Sequence, residues 1–388
     1  MKSSHILILT IGVFSILNTE MGVIGILPLI ASTYGVDIST AGLLVSLFAL
    51  GVAISGPTLP LLFSRFDRKK VMLLVLGIFT VCNIISAFAS TFTIVLLARV
   101  LPAFFHPVYV SLAFAVASAS VEPKDVPKAV SKVMVGVSAG MVVGVPVVSY
   151  ISSITSLEIA MLSFAFVNAV ALIATIFVIP DMPVTERLSY GEQLGVLKDK
   201  SVLISILAVI FLNGAVFGVY SYLAEYLERV TDLSAAYISI LLLAYGLANI
   251  AGNIIGGKLI SSHTNRFVIT FPFLLIGVYI MMLFLGQFTL PMALIILVWG
   301  VLAGAGSIVN QYWITSAAPH VPDFANGLFL VATNIGTFIG AILCGYFISQ
   351  LGTKYIVFGG ISFLALGVVA LLLRVWQPKR RKLLLKEQ

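Results

Sequence analysis

Twelve apolar stretches, each long enough to cross a bilayer, fill almost the whole chain, and landmark residues of the first six return in the second six about 196 positions later. Ala49-Leu50-Gly51-Val52-Ala53 reappears as Ala244-Tyr245-Gly246-Leu247-Ala248, an offset of 195. Pro123 returns as Pro319, Ala129 as Ala325, and the pair Gly140 and Gly144 as Gly336 and Gly340, all at an offset of 196. Small residues are common in any membrane helix, so one match would be coincidence. Four in order point to a duplicated half. Duplicated bundles suit a protein that carries solutes, because two similar bundles rocking about a shared site expose it to one membrane face at a time.

With 60% hydrophobic and 10% charged residues, the chain cannot cover a water-soluble globule. We expect an all-α membrane protein of twelve transmembrane helices in two six-helix pseudo-repeats. Apolar runs place the spans near 6–32, 38–63, 71–91, 93–119, 129–153 and 157–179, then 202–227, 234–260, 267–287, 290–315, 325–349 and 354–375. These give an N-terminal bundle over 1–179, a polar cytoplasmic linker over 180–201 and a C-terminal bundle with a basic tail over 202–388. An inside N-terminus puts nearly all the basic loop residues in the cytoplasm, leaving Arg229 and Lys354 outside. The positive-inside rule therefore sets both termini in the cytoplasm and explains the net charge of +7 without nucleic acid. The basic tail anchors the topology and can touch anionic lipid head groups. Cys82 and Cys344 fall within spans of opposite halves, so free thiols are expected. Short outer loops suit a bacterial plasma membrane.

Glu20, in Asn18-Thr19-Glu20-Met21-Gly22 with Pro28 two turns on, is the carboxylate farthest from every span boundary. Charge at that depth is costly and usually marks an ion or substrate pathway. Glu20 is the leading proton carrier; a permanently neutral Glu bonded to a neighbouring helix is the competing reading. Once Lys132, Lys258 and Arg374 are counted as cytoplasmic topology charges and Lys354 as an outer one, Arg99 is the one Arg or Lys left inside a span, with His106 two turns on. Glu20 lies about 12 residues and Arg99 about 6 from their outer span ends, a depth difference of about 9 Å at 1.5 Å per residue. A Glu20–Arg99 pair made and broken as Glu20 titrates would couple proton to solute; a fixed ion pair or carbonyl cap fits Arg99 equally well. His106 can relay protons, bond solute or simply pack.

Buried amides form the other polar set: Asn83, Asn168, Asn213, Asn249, Asn253, Asn310 and Asn334, with Gln311. Some should tie helices together, and those lining a cavity could bond a polar solute. Asn18, Asn213, Asn249, Asn310 and Asn334 are the candidate amide contacts. Phe48, Tyr220 and Tyr222 are the candidate aromatic ones, beside Trp299 and Trp313; packing roles fit such aromatics as well. Gly136, Gly140 and Gly144, followed by Pro146, give the fifth span a smooth, bendable face suited to close packing. Glu158 and Glu225, near outer helix ends, read as surface residues. No phosphate loop, metal-ligand cluster or nucleophile triad appears in its required context, so neither a cofactor nor enzymatic chemistry is expected.

Together these residues resemble the major facilitator superfamily, and within it the twelve-helix drug:proton antiporters, in particular the sugar-efflux and arabinose-efflux-like branch. The resemblance spans the chain. It is carried by Glu20 through Gly25-Ile26-Leu27-Pro28, by Ser64-Arg65-Phe66-Asp67-Arg68-Lys69-Lys70, by Arg99 with Ala103 and His106, by Gly136 through Pro146, and by Tyr220-Ser221-Tyr222. The loop motif departs from the family pattern at Ser64 and Asp67, and Val145 separates Gly144 from Pro146. The resemblance implies a monomeric proton-coupled exporter of a small organic solute such as a sugar, nucleoside or drug. Glu20, Arg99 and His106 would be its coupling residues, and Arg65, Arg68 and the helix-five glycines its conformational ones. An uncoupled facilitator and a non-transporting membrane sensor of the same fold are the alternatives.

Overall fold

A computed structural model describes residues 3–122, 125–182, 197–318 and 322–375. They form helices joined by short turns, with no strand among them, and carry twelve candidate spans whose positions follow the hydropathy. The helices are α1 (Ser3–Gly22), a 3-10 turn (Val23–Ile26), α2 (Leu27–Tyr34), α3 (Ile38–Ala41), α4 (Leu43–Ser55), α5 (Leu59–Phe63), α6 (Arg68–Ala87), α7 (Phe92–Ala103), α8 (His106–Ala119), α9 (Val126–Ile154) and α10 (Leu157–Val178). There follow α11 (Lys200–Tyr220), α12 (Leu223–Arg229), α13 (Ala235–Leu285), α14 (Thr289–Thr315), α15 (Pro322–Leu351) and α16 (Ile356–Val375). Pro123, Pro319, most of the linker and the basic tail lie outside the described residues.

Two spans end sooner than their hydropathy. The second stops at Ser55, where Gly56-Pro57 interrupts the helix before the short α5. The seventh stops at Tyr220, and a turn at Ser221-Tyr222 leads into α12.

The described residues form two compact units. The first comprises those of Met1–Ser189 with Ser221–Leu247, and the second those of Tyr190–Tyr220 with Ala248–Gln388. In the first, α1 lies on α9, and the helix-five glycines are what let it approach. A Cβ on Gly140 would come within 2.5 Å of Leu17 Cβ, one on Gly144 within 2.6 Å of Asn18 Oδ1, and one on Gly136 would strike the Thr10 carbonyl. The packing role expected for this face is what the geometry shows. Within the same unit α12 packs on the 3-10 turn and α2, Tyr222 sets its hydroxyl over Gly42, and the Ser239 and Ser149 hydroxyls meet at 3.0 Å. Glu225, read from sequence as a surface residue, is only 7% exposed because α12 folds onto its neighbours; Arg229 Nε lies 3.6 Å from its carboxylate. Glu158 is exposed as expected.

The second unit repeats the glycine seam. α11 lies on α15, where a Cβ on Gly218 would come within 2.7 Å of the Gly340 carbonyl and one on Gly340 would strike the Gly214 backbone. The obstacle to Gly340 is main chain, which cannot rotate away. We therefore expect Gly340→Val to destabilise the protein by about 1–3 kcal/mol through overpacking. Gly327→Val on the same helix has nothing within 4 Å of its new Cβ and is the control. Thermal unfolding in detergent checks this: equal melting temperatures for the two variants would refute the seam. Around the seam, Trp299 is fully buried with Tyr279 and Tyr220 edge-on at 5.8 and 6.4 Å. Arg374, counted from sequence as a cytoplasmic topology charge, is 1% exposed. Its guanidinium stacks 4.3 Å over Trp313 and donates to Ser316 Oγ at 3.0 Å, fastening the end of α14. Cys82 and Cys344 are free and buried.

Candidate functional site

Two broken helices of the first unit meet at the candidate coupling residues. α1 cannot run on past Gly22 as one α-helix, because Pro28 lacks an N–H and its ring would crowd the Ile24 carbonyl. The chain tightens into the 3-10 turn and restarts as α2, with the proline in its first turn. Glu20 thus sits in the last turn of α1. The fourth span breaks likewise: Pro102 lies near the end of α7, and Pro107 opens α8, whose first residue is His106. Helix breaks at membrane depth free backbone carbonyls that water cannot reach, so the protein must supply donors itself.

Arg99 is that donor. Its Nη2 donates to the Thr19 carbonyl at 2.7 Å and to the Glu20 carbonyl at 2.6 Å, and its Nε to the Leu44 carbonyl at 3.3 Å. The guanidinium carbon lies 5.3 Å from the centre of the Phe48 ring, within cation–π range. In this structure Arg99 caps main-chain carbonyls. The 9 Å depth difference expected from straight helices does not keep Glu20 and Arg99 apart, because the long Arg99 side chain reaches the main chain of α1. Arg99 binds the Glu20 main chain, and His106 faces the Glu20 side chain.

His106 Nε2 lies 3.1 Å from Glu20 Oε2, with the imidazole 6% and the carboxylate 10% exposed. The ring is off the hydrogen-bonding line, so this is close approach rather than an aligned bond, and Nδ1 has no partner among the described residues. The Phe48 ring stands edge-on to His106 at 6.1 Å. A carboxylate and an imidazole thus stand in contact, walled by an aromatic ring and a fixed guanidinium.

Sequence reading passed over the residue beside them. Thr19 Oγ1 accepts from Asn168 Nδ2 at 2.9 Å and from Asn83 Nδ2 at 3.2 Å, and donates to the Ser15 carbonyl at 3.0 Å. Threonine is unremarkable in a membrane helix, and only the packing of α6 and α10 on α1 reveals its partners.

The eight candidate solute contacts divide between the units. In the first, Asn18 lies against Gly144, Phe48 under Arg99, and Tyr222 over Gly42. In the second, Asn213 Nδ2 donates to the Thr333 carbonyl at 2.7 Å and to Thr337 Oγ1 at 3.0 Å, tying α11 to α15. Asn249 accepts from Asn253 Nδ2 at 3.3 Å, Asn334 donates to the Leu330 carbonyl of its own helix at 2.9 Å, and Tyr220 packs on Trp299. Asn310 is 3% exposed, and its Oδ1 has no partner among the described residues. Pro146 lies inside α9 without breaking it.

At the loop between the second and third spans, Asp67 caps α6 by accepting from Lys70 N at 3.0 Å and also accepts from Met182 N at 2.9 Å. Arg68 N donates to the Met182 carbonyl at 3.2 Å, and Lys69 lies 3.8 Å from Asp181. The loop is thereby clamped to the end of α10. Arg65 is exposed. No group of three or more His, Cys, Asp or Glu side chains that could hold a metal occurs among the described residues.

Comparison with known proteins agrees with this architecture. The family model of the Major Facilitator Superfamily matches residues 9–322 and 231–388. The inner membrane transport protein YdhP of Escherichia coli K12 is 28% identical, over 90% of each chain. A probable sugar efflux transporter of Helicobacter pylori P12 is 25% identical, over 95% of this chain and 93% of that one. Among solved structures, a bacterial homologue of the human lysosomal transporter Spinster, inward-facing and unoccupied, superposes with a TM-score of 0.78 at 17% identity, over 97% of this chain and 100% of that one.

Proposed function

Because the chain belongs to the major facilitator superfamily, and so is a multi-pass membrane transporter rather than an enzyme, we propose that it exports a small organic solute in exchange for protons entering from outside. The observation that carries this reading is the Glu20 carboxylate 3.1 Å from His106 Nε2, at the meeting of two broken helices. Discontinuous membrane helices mark binding and coupling sites in transporters. Glu20 takes the proton, His106 exchanges it, and Arg99 holds the end of α1 and keeps a permanent positive charge beside the carboxylate. Protonating Glu20 removes one charge of the pair, and the broken segments can then change their packing. The sugar-efflux relative favours a polar, hydroxyl-bearing solute. Both halves of the duplicated chain, 1–179 and 202–388, take part in alternating access, as a monomer with cytoplasmic termini.

The test is proteoliposomes holding an internal pH dye, offered sugars, nucleosides and chloramphenicol in turn without an imposed gradient. We expect one class to move protons through the wild type and Glu20→Gln to be silent, since glutamine keeps the shape but cannot exchange a proton. Equal passage of labelled solute through both proteins without proton movement would replace exchange with facilitated diffusion.

A further inference from the structure

The hydroxyl of Thr19 is saturated. It accepts two amide hydrogens, from Asn83 on α6 and Asn168 on α10, and donates its own to the Ser15 carbonyl. Asn168 Nδ2 also reaches the Ser15 and Phe164 carbonyls at 3.3 and 2.9 Å. Thr19 is 1%, Asn83 5% and Asn168 0% exposed, so no water competes for these bonds. On the side of α1 that carries Thr10, Leu17 and Asn18, the neighbour is the glycine face of α9. That face sets how closely the two helices approach, with Leu17 and Asn18 seated on its glycines and Thr10 Oγ1 donating to the Lys132 carbonyl at 3.1 Å near the start of α1, a turn and more from Glu20. Thr19 points to the opposite side, and Glu20 stands about 100° from it, the step between successive helical residues. Whatever fixes Thr19 therefore aims Glu20.

The duplicated half holds the same point by other chemistry. Thr19 and Asn83 correspond at an offset of 196 to Ala215 and Tyr279, and Tyr279 Oη donates to the Ala215 carbonyl at 2.6 Å. In each half the third span grips the first at the same position, although the residue types differ.

We infer that Thr19, Asn83 and Asn168 are positioning residues that set the rotation of α1 and so aim the Glu20 carboxylate at His106. This rests on Glu20 being the titrating carboxylate. Among the described residues, His106 and Arg99 are the charged or titratable side chains bonded or paired to the end of α1 there, and neither bonds the Thr19 hydroxyl.

The test needs no solute. Acid-minus-alkaline infrared difference spectra of the protein in proteoliposomes report the carboxyl stretch of Glu20, assigned by its loss in Glu20→Gln. Thr19→Val, which orphans both amides, is expected to shift and broaden that band, and Thr19→Ser to restore its wild-type position. Asn83→Leu, which leaves Asn168 on the hydroxyl, is expected to give a smaller shift and decides the matter if the valine variant does not fold. A band unmoved in Thr19→Val and Asn83→Leu but lost in Glu20→Gln overturns the positioning role and leaves the coupling role intact. A band that survives in Glu20→Gln overturns both.

Discussion

Arg99→Met is expected to abolish transport and to lower stability by about 2–6 kcal/mol, since it strands the Thr19 and Glu20 carbonyls and an unsatisfied buried polar group costs about 1–3 kcal/mol. Methionine matches much of the volume of the arginine stem and keeps the contact with Phe48, so the loss isolates the donors and the charge rather than packing. Arg99→Lys retains the charge but not the planar fork that lets one nitrogen bridge two acceptors while another reaches Leu44. It should fall between wild type and Arg99→Met in melting temperature. Thermal unfolding with fluorescence-detected size exclusion measures the stability, and solute counterflow the activity. Wild-type melting in Arg99→Met would mean that the carbonyls find other donors and that Arg99 does not hold the break. A lysine variant that melts like the wild type yet does not transport would assign the guanidinium to coupling beyond its capping role.

The parts of the molecule that the sequence foretold are those set by solvent preference. Twelve spans are legible because a bilayer tolerates only long apolar helices, and Glu20 because a charge among them is costly enough to stand out. The glycine face of α9 is legible because spacing alone puts Gly136, Gly140 and Gly144 on one side of a helix. Arg99 was legible as a residue but not in its contacts. Counting depth along a helix gives the level of a Cα, not the atoms that a long guanidinium side chain reaches, and here it reaches main-chain carbonyls of α1 and α4. Thr19 and Asn168 illustrate a second limit. A hydroxyl and an amide 149 positions apart carry no mutual signal until α10 is laid against α1. Glu225 illustrates a third, because whether a residue near a helix end meets water depends on what folds over it, and α12 is covered by the 3-10 turn and α2.

The hydroxyl pair of Ser149 and Ser239 gives the most direct handle on the transport cycle. The two oxygens are 3.0 Å apart, and the residues are 2% and 4% exposed, so thiols placed there would be held face to face and shielded. Ser149 belongs to the fifth span and Ser239 to the eighth, one from each half of the duplication. Gly246, also on α13, lies so close to Val142 that a Cβ there would come within 2.8 Å of its side chain, so the contact is continuous along the two helices. If the duplicated halves move apart on one face of the membrane during each cycle, this contact has to open. Ser149→Cys with Ser239→Cys in a background lacking Cys82 and Cys344 should therefore transport when reduced, cross-link on mild oxidation, and then lose essentially all transport. Activity should return with dithiothreitol. Each single cysteine should stay active under the same oxidant, which separates a lock from general thiol damage. Full transport by quantitatively cross-linked protein would show that the fifth and eighth spans stay together throughout the cycle, and would require the solute to pass by a motion that leaves this contact closed.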